Sequence, residues 1–273
     1  KDAWMNDVAE YTHLNWDRLY NINWNNYDAN GLRRSKYAVE ERRVDQNDIN
    51  LNASVKWSAS RVFTLTGGLN YKWNRTEYYK KMDDLLGGDY YLNIDQFAER
   101  DFASSPTMVQ NDLDYFLEFG EAKSLKEGDK YGYDYYAHVR NANLWANGAL
   151  DLGGFKANLA LEGGYNEFYR EGLVRKGLFA GLDDNGREIV VDGKVLTTYD
   201  SNGKPITSKG RSEVQNFWTY SAKLGLQYHF NGGHRIYANG GYFNDAPTFA
   251  QSFISPRTRN SVVPNLETVK TVS

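Results

Sequence analysis

Between Asn216 and Phe230 every second residue is apolar: Trp218, Tyr220, Ala222, Leu224, Leu226, Tyr228 and Phe230. The intervening positions are Phe217, Thr219, Ser221, Lys223, Gly225, Gln227 and His229. At the chain's 41% apolar frequency, seven in succession on one register has a chance probability of roughly 0.002. A helix cannot collect such a set on one side, whereas a strand, with its two-residue repeat, does so automatically.

The pattern recurs in five further segments, and together they fall in pairs. Ile49, Leu51, Ala53, Val55 and Trp57 precede Phe63, Leu65, Gly67, Leu69, Tyr71 and Trp73. Ala142, Leu144, Ala146, Gly148, Leu150 and Leu152 precede Phe155, Ala157, Leu159, Leu161, Gly163 and Tyr165. Ile236, Ala238, Gly240 and Tyr242 complete the last pair. None of these 34 residues is charged, although charged residues make up 25% of the chain. Lys56, Lys72, Lys156, Glu162 and Lys223 all stand on the opposite register. A Lys or Arg facing lipid costs about 2 to 4 kcal/mol at the bilayer midplane, which gives such an exclusion a physical cause.

Parity tests the pairing independently. Gly153-Gly154 is an even-length loop that keeps Leu152 and Phe155 on one side, and glycine accepts the positive φ of primed hairpin turns. The first and third pairs need odd-length loops, around Ala59 to Arg61 and around Asn231 to Arg235. The expected fold is therefore all-β: an antiparallel up-and-down meander of about six strands in three hairpins, at about 48–73, 138–169 and 216–244. Long loops at about 74–134 and 170–215 alternate with the short turns. That asymmetry, with spans of about ten residues, predicts part of a transmembrane β-barrel with extracellular loops. Trp57, Phe63, Phe155, Tyr228 and Phe230 beside the short turns, and Tyr71, Trp73, Tyr165, Trp218, Tyr220 and Tyr242 toward the long loops, predict two interfacial aromatic girdles. A soluble aromatic-rich carbohydrate-binding β-sandwich is the main alternative, with shorter strands and mid-strand aromatics.

Composition narrows the function. The 273 residues carry 32 basic against 35 acidic side chains and no Cys. Near-balanced charge gives no counterion-releasing surface, so nucleic acid is not an expected partner. Without Cys there are no thiolate metal sites, cysteine nucleophiles or disulfides. No apolar run approaches the roughly 20 residues of a spanning helix. His13, His138, His229 and His234 show no ligand spacing, and no catalytic constellation emerges, so neither enzyme activity, cofactor nor metal is expected. Asp83, Asp84, Asp89, Asp95 and Glu99 could hold Ca²⁺ but read better as solvated charges and helix caps. Asp200-Ser201-Asn202-Gly203 and Val191-Asp192-Gly193-Lys194 read as turns.

Aromatic residues reach 15%, including 21 Tyr and 7 Trp. Tyr78, Tyr79, Tyr90, Tyr91, Tyr131 and Tyr133, with the further loop tyrosines Tyr135 and Tyr136, lie in or near the external loops. They are candidates for stacking on a sugar, peptide or chelate, or for packing the loops together. Arg140, Trp145 and Phe217, with Asn143 and Lys223, are expected on the polar, lumen-facing side as further ligand candidates or as contacts to a plug.

Several stretches outside the spans resemble the TonB-dependent receptors of Bacteroidetes: HLNWDRLYNINWNN, YYKKMDDLLGGDYYLNIDQFAERDF, EGLVRKGLF and GYFNDAPTFAQSFISPRTRN. The resemblance runs over nearly the whole chain, and PNLETVKTVS looks like the start of a further strand. It implies a partial 22-stranded barrel closed by a plug, in the bacterial outer membrane, taking up a scarce nutrient. Its partners would be outer-membrane lipid, the plug of the same receptor, TonB, and a small-molecule, oligosaccharide or peptide ligand. The chain shows about six strands and no recognisable plug or TonB-contacting box, and it begins at Lys1, so it is expected to be a piece of something longer. A passive porin or adhesin barrel shares the strand signal and remains a rival.

Overall fold

The computed structural model describes residues 1–8, 12–231 and 233–273. Its strands, in chain order, are β1 (Val39–Ser58), β2 (Phe63–Asp84), β3 (Tyr91–Leu92), β4 (Ser124–Leu125), β5 (Lys130–Asp151), β6 (Phe155–Gly172), β7 (Val190–Val191), β8 (Lys194–Val195), β9 (Gly210–Arg211), β10 (Gln215–His229), β11 (Arg235–Asp245) and β12 (Val269–Val272). The main sheet has the order β1-β2-β5-β6-β10-β11-β12, with β9 beside β6. This is an antiparallel up-and-down meander, and the protein is all-β. Among the described residues, no helix is long and apolar enough to cross a membrane.

The six long strands are the six alternating segments, and their register brings the apolar sets together. Leu224 sits between Leu159 and Gly240, Leu226 between Ala157 and Ala238, and Tyr228 between Phe155 and Ile236. The turns obey the parity argument. Leu152 N donates to Phe155 O at 2.8 Å across the two glycines, with Gly153 at φ +79°. Asp48 receives Asn74 Nδ2 at 2.7 Å, two even-numbered residues meeting across β1 and β2. His229 pairs with Arg235 around a five-residue loop.

Strands outrun the apolar segments. β1 starts at Val39 and β2 runs to Asp84, while β5 begins at Lys130. In the β1 extension both registers carry charges, so the apolar contrast that marks a strand disappears, whereas in β5 the apolar set moves to the odd positions Tyr131, Tyr133, Tyr135, Ala137 and Val139, opposite the register of Ala142 and Leu144. Cross-strand pairs such as Lys80 with Glu40 at 2.7 Å tie the extensions instead. The long connections are accordingly shorter than 74–134 and 170–215, and they carry the small pairs β3/β4 and β7/β8. They also contain helices Gln96–Phe102 and Leu113–Phe119, capped by Asp95 and Asp112.

The chain divides into two compact units: Lys1–Val44, Tyr78–Tyr135 and Leu173–Lys209 form one, and Asp45–Glu77, Tyr136–Gly172 and Gly210–Ser273 the other. The first unit is held by two small apolar clusters. Met82, Leu85 and Leu125 gather Ala38, Tyr91 and Tyr131, while Leu113, Ala180 and Ile189 gather Phe116, Val191 and Leu196.

In the second unit the apolar alternating face is not a core. None of its 34 side chains is buried and 23 are exposed, with Val55 and Trp218 each at 72% and Leu144 at 69%. Glycines reveal which way this sheet bends. Four stand on the polar face, and an added Cβ would collide at each. At Gly68 it would lie 2.5 Å from Ala53 O and 2.9 Å from Trp145 Cζ2, and at Gly241 it would lie 2.8 Å from Phe243. Gly164 and Gly225 are crowded by Asn143 and Asn158. Four stand on the apolar face and meet less: Gly67 is tight at 3.3 Å from Trp145 O, but the nearest atoms are at 3.4 Å for Gly148 and 3.8 Å for Gly240, with nothing within 4 Å of Gly163. The polar face is the concave one, and glycine lets neighbouring strands close toward it.

Candidate functional site

Loop geometry in the first unit is set by buried polar side chains. Asn23, fully buried near the end of helix Trp16–Trp24, donates to Tyr37 O, Leu85 O and Leu86 O at 2.8, 3.0 and 3.1 Å. Its Oδ1 accepts from Lys36 N at 2.8 Å and Tyr37 N at 3.1 Å. Arg175 is equally central: its guanidinium reaches Asp114 at 2.6 Å, Asp184 at 3.0 Å, and the carbonyls of Ala180 and Leu182. Lys176 Nζ donates to Asn111 at 2.6 Å. Nothing in the sequence separates these staples from ordinary surface polar residues.

The candidate tyrosines divide by role. Tyr131 and Tyr91 meet edge to face at 6.0 Å and pack on the Met82 cluster. Tyr131 Oη donates to Glu40 at 2.6 Å under the Lys80 ammonium, which lies 4.3 Å above the ring. Burial pushes the Glu40 carboxyl up, but hydrogen bonds from Lys80, Tyr131 and Arg42 more than offset it and hold its pKa at about 2. Burial, then the Glu40 charge, pushes the Tyr131 phenol well above its usual range. Tyr78 stacks on Tyr135 at 5.1 Å, Tyr133 lies tilted against Tyr135 at 6.1 Å, and Lys130 covers Tyr79 at 4.1 Å.

Tyr90 and Tyr91 line a cleft of about 570 Å³ with Asn26, Tyr27, Asp28, Arg34, Lys36 and Glu99 among its walls. Its floor is a short ladder: Asp89 N donates to Arg33 O and Ser35 N to Tyr90 O, both at 2.8 Å. Arg33 grips Asp89 through Nε at 3.1 Å and Nη2 at 2.9 Å, and this side-chain pairing holds the Asp89 pKa at about 2. Asp28 caps its own turn, accepting from Asn30 N at 2.8 Å and Leu32 N at 2.9 Å, and receives Tyr90 Oη at 2.9 Å. The backbone bond from Leu32 leads in pulling the Asp28 carboxyl below its usual range.

In the second unit, Trp145 lies on the polar face over Gly68. Phe217 stacks on buried Phe168 at 5.9 Å, and Phe168 meets Phe249 at 6.2 Å, so Phe217 belongs to a small aromatic cluster on that face. Arg140 departs from expectation. It bonds Glu167 at 3.4 Å, and Glu167 pairs with Asn216, the even-numbered position preceding Trp218 on its face. Arg140 therefore lies on the side of Tyr165 and Trp218, because its even number shares the register of Ala142 and Leu144. His138 follows the same register, 2.9 Å from Glu171 and stacked on Tyr169 at 4.4 Å.

The acidic residues of the first long connection separate. Asp84 caps Leu86 N at 2.7 Å, Asp89 holds Arg33, Asp95 caps a helix, and Glu99 lies 3.9 Å from Arg34. Among the described residues no group of three or more His, Asp or Glu gathers as for a metal. Asp200 accepts from Asn202 N and Lys204 N in a turn, and Asp192-Gly193 links β7 to β8 with φ +50° and +75°.

Fold and site together define an all-β protein whose antiparallel meander carries folded, polar-stapled connections, with a tyrosine-lined cleft between one of them and the segment that precedes β1. Comparison with family models, curated proteins and solved structures finds no match to this chain.

Proposed function

We propose that this chain supplies wall and external loops of a bacterial outer-membrane β-barrel, and that the barrel is an uptake receptor of the TonB-dependent kind for a scarce nutrient. One observation carries the reading: an uncharged apolar face of 34 residues, none of them buried. Burying a Val, Leu, Ile or Phe side chain is worth about 1.5 to 3 kcal/mol, so a water-soluble protein would not leave such a face uncovered. Lipid covers it without a partner protein. Tyr165 against Trp218 at 5.1 Å and Tyr220 on Tyr242 at 5.9 Å form two aromatic pairs toward the long connections, where headgroups would lie. The chain contributes no chemistry of its own; plug, TonB and ligand are the partners that the receptor reading requires.

The chain has no Cys, so single cysteines carry nitroxide labels without background from it. Labels replacing Leu144 or Leu224 in the natural full-length protein should meet dissolved oxygen and be shielded from a water-soluble paramagnet, with the reverse at Asn143 and Lys223. Equal access of the water-soluble reagent to both faces would sink the membrane assignment. Uptake that persists after the proton gradient is collapsed would replace the receptor by a passive barrel.

A further inference from the structure

The cleft beside Tyr90 holds more hydrogen-bond donors than the protein satisfies. Arg33 is paired with Asp89, but its neighbour Arg34 has, among the described residues, only Glu99 at 3.9 Å, beyond hydrogen-bond reach. Lys36 Nζ has no acceptor among the described residues. The remaining carboxylate of the lining, Asp28, is already taken by Tyr90 and two backbone amides. Two cationic side chains without a hydrogen-bonded acceptor suit an acceptor-rich anion that displaces Glu99 from beside Arg34, and a guanidinium fork suits a carboxylate or sulfate bidentately.

The other half of the lining is aromatic. Tyr27 is 63% exposed and stands at the same cleft as Tyr90 and Tyr91. Such a ring offers an apolar face and a phenolic edge, the combination that holds a sugar ring by stacking and hydrogen bonding. The volume of about 570 Å³ falls within the roughly 300 to 1,000 Å³ of small-molecule sites. The laddered floor and the capped turn at Asp28 fix the walls in advance, which lowers the entropic cost of binding.

We propose that this cleft binds an anionic saccharide, its ring against Tyr27 and its carboxylate or sulfate on Arg34 and Lys36. The proposal names a ligand class for the uptake reading and rests on it for its biological sense. The test is calorimetric titration of the full chain in detergent with digalacturonate, a sulfated disaccharide and an uncharged disaccharide. At least one anionic probe should bind about tenfold or more tightly than the uncharged one, less so as salt rises. Arg34→Gln and Lys36→Gln should each reduce that preference several-fold, while Tyr27→Ala weakens charged and uncharged probes alike. No binding by either anion, equal binding by the uncharged sugar, or a preference unchanged in both charge variants overturns it. If the anions fail while apolar-face labels still meet lipid, the cleft assignment falls and the receptor reading stands. If they bind a chain whose labels meet water, the cleft stands and the receptor reading falls.

Discussion

Asn23 shows how a single amide can organise a loop that lacks a large core. Its side chain answers three carbonyls and two backbone amides from segments around residues 36–37 and 85–86. Asn23→Leu, close in size, removes all five bonds and leaves the buried Leu86 carbonyl without the Asn23 amide, while Leu85 O keeps Ser35 Oγ and Gly88 N; at about 1 to 3 kcal/mol for each group left buried and unpaired, the melting temperature of the first unit should fall. Glu40 adds a pH dependence. Its folded pKa of about 2 lies below the ordinary 4.5, so its stabilisation is complete above about pH 4.5 and is lost as pH falls toward 2. Linkage bounds that contribution at about 3 kcal/mol, reduced by solvent because Glu40 keeps 27% exposure. Melting curves of wild type and Glu40→Gln should differ at neutral pH and converge through that window. A constant difference would assign the effect to packing. None of this was legible beforehand, since a buried Asn or a paired Glu reads like its solvated neighbours.

At the level of strands the sequence was far more informative, because one apolar register against one polar register is a contrast that only a two-residue repeat produces. The pairing of Leu224 with Leu159 and Gly240 follows from that contrast together with turn length. Legibility weakened where the contrast did: between Val39 and Asp45 both registers carry charges, Glu41, Arg43 and Asp45 on one and Glu40 and Arg42 on the other, and the segment reads as loop though it is ladder, while in β5 the apolar set switches to the odd positions Tyr131, Tyr133, Tyr135 and Ala137, which hides the strand's continuity. Arg140 was misplaced for a related reason, its charge suggesting the polar face while its register required the other. The glycines give a test of curvature at this scale. Gly68→Ala should destabilise by about 1 to 3 kcal/mol because Ala53 O and the Trp145 ring cannot both yield, whereas Gly163→Ala meets open space and should be near neutral. Equal effects in chemical denaturation would mean that the sheet does not close toward its polar side.

Over the whole molecule, what distinguishes the chain is that its strongest pattern does not build its core. The buried apolar residues of the first unit lie in the connections and in the strand extensions that carry Met82, Tyr133 and Tyr135, while the regular alternation of the second leads to side chains that nothing among the described residues covers. Placing one arginine on each face separates the readings. Leu224→Arg should cost about 2 to 4 kcal/mol of membrane stability and deplete the protein from the outer-membrane fraction, while Ser221→Arg, on the opposite register, should be tolerated. Comparable depletion for both would remove the distinction between the faces.

The crowding at Gly68, Gly164, Gly225 and Gly241 also sets how this sheet can flex. Contact is already tight on the inner side and slack on the outer, so thermal motion meets a hard stop in one direction and a soft spring in the other. Pressure on the concave face widens the curve at modest cost, whereas pressure on the convex face finds almost no give.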